Sequence, residues 1–316
     1  LVLSFKKEPL PFFKGCPMIL HQYDFSPFSE KIRTIFGMKN LAWQACDQPV
    51  IMPKPELVAL TGGYRRIPVL QIGADIYFDT ALIAEEIERR FPTPSITTNI
   101  GPATAAAFTA WTDQTLFWHV VTALFGGDLP MDDAFIADRS ALIGRAFDPK
   151  TMAAAAPAAL IALAAAFDLI NQQLSDGRPY LSGDTPGIAD ACLYHNIAFL
   201  RWGRGRGAAV VDGVPHLLAW EARVRAIGHG RRGADISRED AIALAHTSTP
   251  APTTGESLRP DLPVGCTCTI AYSDANTPPL TATVVAATHQ HMTVRPANAT
   301  THLHMPFTTA RIVAPS

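Results

Sequence analysis

The spacing of apolar residues changes twice along the 316-residue chain, and each change implies a different way of burying a core. Over residues 18 to about 92, strand patterns alternate with helix patterns. "MILHQY" predicts a strand, and "SEKIRTIFGMKN" predicts a short helix with Ile32, Ile35 and Phe36 on one side and Gly37 near its end. "IPVLQIG" and "DIYF" predict a hairpin about residues 73 to 75, and "DTALIAEEIERRF" predicts a helix stopped by Pro92 and Pro94. Over residues 101 to 246 the pattern is helical, in five segments separated by Gly, Pro and Asp. Beyond the Thr/Pro-rich "HTSTPAPTTGESLRPDLP" the chain turns to strand-forming Thr, Val and Ile. The predicted architecture is an α/β domain over residues 18–97, an all-α domain over 98–246, and a linker with a small all-β module over 247–316. Residues 1–17 are expected to be an N-terminal extension.

Composition removes several function classes. With 48% hydrophobic and 17% charged residues the chain can bury more than one core, and a net charge of -2 supplies no field to recruit nucleic acid or a membrane surface. Five cysteines scattered at 16, 46, 192, 266 and 268 form no disulfide framework, so a cytoplasmic location is expected. "MAAAAPAALIALAAAF" is the most lipid-like stretch, but at 16 residues and with Pro157 inside it reads as a buried helix rather than a membrane span. The basic stretches "RWGRGRG" and "HGRRG" read as solvated loops.

The segment "FSPFSEKIR" joins the first strand to the first helix, where free N–H groups and the helix dipole favour negative charge. A thiolate suits that place, yet Ser26 and Ser29 occupy it. Without a cysteine of its own, the loop cannot perform dithiol exchange. It can offer a hydroxyl to a thiolate brought by another molecule, or it can simply cap the helix, with Ser29 as the expected cap and Ser26 as the expected donor. Three further motifs follow: Pro68 opening a strand in "YRRIPVLQIG", Asp79–Thr80 opening a helix, and Asp190 three residues after Gly187 in "DTPGIADACLYH". Asp190 is placed to reach back to the Gly187 N–H, since glycine supplies no capping side chain.

These motifs, spread over residues 18 to about 230, resemble the glutathione transferase superfamily of the serine/cysteine type. The resemblance implies a thioredoxin-like domain followed by the all-α domain, with glutathione as co-substrate. It assigns Ser26 as donor to the glutathione sulfur, with Tyr23 as the rival hydroxyl, although alignment through "EKIR" sets Gln22 at the place of the family's tyrosine. It further implies that Ile67, a cis Pro68 and Val69 pair with the tripeptide backbone and that Arg66 meets a carboxylate, Arg65 beside it being solvated. Asp79 and Thr80 would hold the γ-glutamyl end. Phe28, Trp111, Thr115, Trp118 and His119 would line a pocket for an apolar electrophile, Trp111, Thr115 and Trp118 sharing one helix face with Phe108 and Thr122. A detoxifying homodimer is the implied form. The competing expectation is a catalytically weak binding or regulatory protein whose β module recruits a partner. In that module Cys266/Cys268, His289/His291 and His302/His304 are each two residues apart, as chelating pairs on a strand would be, but the spacing fits no standard zinc motif and no metal is expected.

Overall fold

The computed structural model describes residues 17–127, 129, 131–272 and 277–315; Cys16 and most of the expected N-terminal extension lie outside them. The α/β unit consists of strands β1 (Met18–Gln22), β2 (Ala42–Asp47), β3 (Val69–Ile72) and β4 (Asp75–Phe78), with helices α1 (Pro27–Met38), α2 (Pro55–Thr61) and α3 (Thr80–Arg90). β1 pairs in parallel with β2 and antiparallel with β3. β3 turns into β4 through Gly73, whose φ of 61° places it in the left-handed region. The order β2–β1–β3–β4 is that of a thioredoxin-like sheet. Ile32, Ile35 and Phe36 are fully buried beneath it, as their spacing predicted.

The all-α part packs around Phe167, Leu193, Ile197 and Trp220. Helix α4 (Pro102–Ala110) continues through a π-helical turn, Trp111–Leu116, into α5 (Phe117–Phe125). It is followed by α6 (Asp133–Ile143), α7 (Pro149–Leu174), α8 (Ile188–Gly203), α9 (Gly205–Asp212) and α10 (Pro215–Ile227). Helix α7 has 26 residues and is long and apolar enough to cross a membrane by length and composition. Leu163, Phe167, Ile170 and Leu174 are buried, while Ile161 and Leu169 are 72% and 62% exposed, so only one side of the expected buried helix is covered. "RWGRGRG" is not a loop: it closes α8 and opens α9, and Arg201 is paired with Glu221 and Asp212. Arg231–Arg232 of "HGRRG" form a short strand, β5, parallel to β2. Helix α11 (Arg238–Thr247) lies against the sheet, where Ala241 packs with Ile19 and Cys46.

The C-terminal strands β6 (Thr267–Tyr272), β7 (Leu280–Ala287), β8 (His291–Pro296), β9 (His302–Pro306) and β10 (Ala310–Pro315) extend the same sheet. The order is β10-β6-β7-β8-β9-β4-β3-β1-β2-β5, with β9 parallel to β4. A free β4 edge would present a row of unpaired N–H and C=O groups; β9 takes them up. The join is also apolar, because Leu57, Tyr64 and Phe78 share a core with Ile270, Val294 and Met305.

Asp190 anchors the start of α8 as its spacing predicted. Its carboxylate accepts from Gly187 N at 2.9 Å, Leu181 N at 2.7 Å and the indole of Trp220 at 2.7 Å. The structure also explains the glycine: a Cβ at residue 187 would lie 2.5 Å from Ser182 Oγ and 2.7 Å from the Ile96 carbonyl oxygen. The hydroxyl can rotate aside, whereas the carbonyl is held by the N–H of Ile188 at 2.8 Å. Gly187→Ala is therefore expected to cost about 1–3 kcal/mol by overpacking. Urea denaturation checks this through a lowered midpoint at unchanged slope.

Candidate active site

Pro27 has no N–H to leave unsatisfied and its fixed φ suits the first helical position, so α1 starts there and the preceding residue becomes the cap. That residue is Ser26. Its Oγ accepts from Ser29 N at 3.1 Å, while the Ser29 hydroxyl is buried without a partner. The cap is thus Ser26 and not the expected Ser29. Capping uses Ser26 Oγ as an acceptor and leaves its own proton available. The side chain lines a cavity of about 560 Å³ between the sheet domain and the helical domain.

The wall from the sheet domain brings together Ser26, Tyr23, Phe28, Arg66, Ile67 and Pro68, and the Ile67–Pro68 peptide is cis. Val69 is fully buried between His21 and Phe78 in the ladder and is not part of the lining. Arg66 Nη2 donates to the Leu142 carbonyl at 2.9 Å, and its Nε is buried without a partner. Arg65 is not solvated: it is buried and pairs with Asp138 of α6 at 2.6 Å. Lys54, which the sequence did not single out, also lines the cavity, with its ammonium 5.7 Å from the centre of the Tyr23 ring. Burial, reinforced by the nearby Arg139 guanidinium and only partly offset by Asp138, lowers its pKa to about 8.

At the head of α3, Asp79 and Thr80 both line the cavity. Asp79 caps the helix by accepting from Ala81 N at 2.9 Å, and its other oxygen accepts from the hydroxyl of Thr309, in the turn between β9 and β10, at 2.8 Å. Thr80 Oγ1 accepts from the Lys31 ammonium at 3.1 Å. Lys31 is fully buried and bonds Asp113 Oδ2 at 2.7 Å, and Asp113 Oδ1 meets His195 Nε2 at 3.1 Å. Burial alone would push the Asp113 carboxyl up; the Lys31 ammonium and the His195 contact outweigh it and hold the group below the usual carboxylate range. Lys31 also stays charged, because Asp113 outweighs its burial penalty. Burial dominates at His195 and favours the neutral ring.

The helical wall differs from the expected face. Trp118 lines the cavity, stacked under the Arg145 guanidinium at 4.6 Å, but Trp111, Thr115 and His119 are not among the described lining residues. Trp111 packs on Phe108 at the helical core, and Thr115 is exposed. The cavity face is Asp113, Gln114, Phe117, Val121 and Phe125 with Trp118. A π-helical turn at 111–116 adds a residue to one turn, so a stripe counted at α-helical spacing through it does not keep to one face. Phe28 closes the gap by packing on Phe117, ring centres 4.8 Å apart.

Two family models match: glutathione S-transferase N-terminal domain over residues 20–95 and C-terminal domain over 153–223. A glutathione S-transferase-like protein from Pseudomonas syringae is 32% identical, with a TM-score of 0.77 over 94% of this chain and 99% of that one. The chain belongs to the glutathione S-transferase family. A transferase from Rhodospirillum rubrum F11 (20% identity, TM-score 0.51, 74% of this chain and 94% of that one) shares the fold. So does a Tau class transferase from mango (17%, 0.51, 72% and 97%). No curated protein matches. The family models stop at residue 223, whereas the Pseudomonas match, at 94% of the chain, must run into the C-terminal strands that are joined to this transferase sheet.

The buried Lys31–Asp113 pair ties α1 to the π-helical turn and carries a stability consequence. Asp113→Asn strands a buried ammonium and is expected to cost about 3–5 kcal/mol, much of it recovered in Lys31→Met/Asp113→Asn. Urea denaturation of the four members of this cycle checks it. Because the Asp113 pKa is depressed, its contribution is fully present above the unfolded carboxyl value of about 4 and is lost as pH falls below it.

Proposed function

We propose that the protein is a glutathione-dependent transferase of the serine/cysteine type, in which Ser26 donates a hydrogen bond to the glutathione sulfur. The carrying observation is the state of Ser26 Oγ, which accepts the Ser29 N–H and so has its own proton free to face the cavity. A serine hydroxyl is too weak a base to take the thiol proton. It stabilises the thiolate, the proton goes to solvent, and the sulfur attacks an electrophile held among Phe28, Phe117 and Trp118.

The surrounding groups match the rest of the tripeptide. Ile67 beside the cis peptide offers main chain to the cysteinyl unit. The head of α3 at Thr80 suits the γ-glutamyl carboxylate, with Asp79 and Asp113 near its ammonium. Arg66, with an unpartnered Nε, and Lys54 suit the glycyl carboxylate.

Ser26→Ala is expected to raise the pKa of the bound thiol and to lower kcat/KM for an aromatic halide by about 100-fold, the usual scale for loss of one anion-stabilising donor. Tyr23→Phe should leave both unchanged. The reverse pattern would make Tyr23 the donor, and glutathione binding without turnover across a panel of electrophiles would leave a binding module. Calorimetry with S-methylglutathione, which has no ionisable thiol, removes the sulfur from the pH profile, and comparison with Lys54→Met separates Lys54 from the ligand's own ammonium. Affinity should hold below pH 8 and fall as pH rises through about 8, and Lys54→Met should flatten that profile.

A further inference from the structure

The parallel pairing of β4 with β9 brings together three side chains that no step above uses. Asp75 stands opposite His302, and Tyr77 stands opposite His304, so His302 and His304, two residues apart on β9, face Asp75 from one side of the sheet. The possible ligand atoms of Asp75, His302 and His304 all lie within 4.8 Å of one another. Asp75 Oδ1 is 2.8 Å from His304 Nε2 and 3.9 Å from His302 Nδ1. These separations straddle the edge of about 3.3 Å that a tetrahedral zinc site with bonds near 2.0 Å requires. The other pairs singled out in the sequence do not converge in this way. Cys268 is buried in the apolar core, and His289 precedes β8 in the turn, whereas His291 opens that strand.

The cluster is held from behind. The second oxygen of Asp75 accepts from Ala251 N at 2.7 Å. His304 Nδ1 meets the Thr293 hydroxyl at 3.0 Å, and its ring stacks on Tyr77 with centres 4.2 Å apart. Without an ion, His304 Nε2–H donates to the Asp75 carboxylate and Nδ1 accepts from the Thr293 hydroxyl; a cation would displace the Nε2 proton, and the Thr293 oxygen can then accept from Nδ1–H, the tautomer a metal ligand needs. His302 Nδ1 is the unexplained atom: it is buried, has no hydrogen-bond partner, and is too far from Asp75 for a hydrogen bond. Asp75 itself has a side chain only 3% exposed. A buried carboxylate facing two imidazole nitrogens, one of them unsatisfied, is a charge and lone-pair arrangement that a cation completes.

We propose that Asp75, His302 and His304 bind one divalent transition-metal ion of the zinc type, with water as a fourth ligand, and that the ion fastens β9 to β4. The donor set of two imidazoles and one carboxylate suits zinc rather than magnesium or calcium. The site sits at the opposite end of β4 from Asp79, so it clamps strands and does not enter the transferase cavity.

The test uses full-length, tag-free protein stripped with a chelator and dialysed. Titration with Zn²⁺ against a chromophoric chelator should give one equivalent per chain, and Co²⁺ should give visible absorption bands of a low-coordinate site. His302→Gln leaves the Asp75–His304 bond in place, so the fold is kept while one ligand is lost; it should weaken Zn²⁺ by more than 10-fold and abolish the Co²⁺ bands. Zn²⁺ should also raise the unfolding temperature of the parent but not of the variant. Absence of stoichiometric binding in the parent, or equal binding by His302→Gln, overturns the proposal, and neither result depends on glutathione chemistry.

Discussion

A lysine ammonium with no exposed surface is tolerated only where a carboxylate meets it, and Lys31 finds that partner on another domain. The ion pair with Asp113 fixes α1 against the π-helical turn, and Thr80 completes it from the head of α3. Three elements that border the cavity are thereby fixed relative to one another by a single charge. The geometry of Ser26, at the start of the helix that carries Lys31, depends on that fixation. The helical wall opposite Ser26 is thereby held in register with it.

Much of this arrangement could be read from local sequence, because local hydrogen-bond needs write themselves into neighbouring residues. The Ser-Pro pair before α1, the proline before β3, the Asp-Thr before α3 and the Asp190 that anchors α8 are all answers to unpaired main-chain groups within a few positions. Even the shift of the cap from Ser29 to Ser26 had a local signal, since Pro27 at the first helical position points to Ser26. The π-helical turn had none that periodicity could detect. A stripe counted through it put Trp111, Thr115 and Trp118 on one face, whereas Trp111 packs in the core, Thr115 is exposed, and Phe117 and Val121 line the cavity.

Partnerships across long separations were the illegible part. Lys31 lies among charged neighbours in "SEKIR" and looks solvated until Asp113 is placed beside it. Arg65 likewise acquires its meaning from Asp138. The C-terminal strands were visible as strands, yet alternation cannot name the edge to which a strand will pair. It was β4, and with that pairing the last segment of the chain came to supply Thr309 to Asp79.

The parallel register of β9 has one more effect. Five strands now lie beyond β4, and the open edge of the sheet on that side is β10. The strands do not run on flat, however: Tyr272 of β6 packs on Phe78 of β4 with ring centres 6.2 Å apart, so the added strands curl back toward β4. The turn that leads into β10 carries Thr309, whose hydroxyl bonds Asp79 at the cavity, so the new edge begins beside the site. In this chain, an extended peptide that docked on β10 by strand addition would adjoin a segment that also borders the cavity.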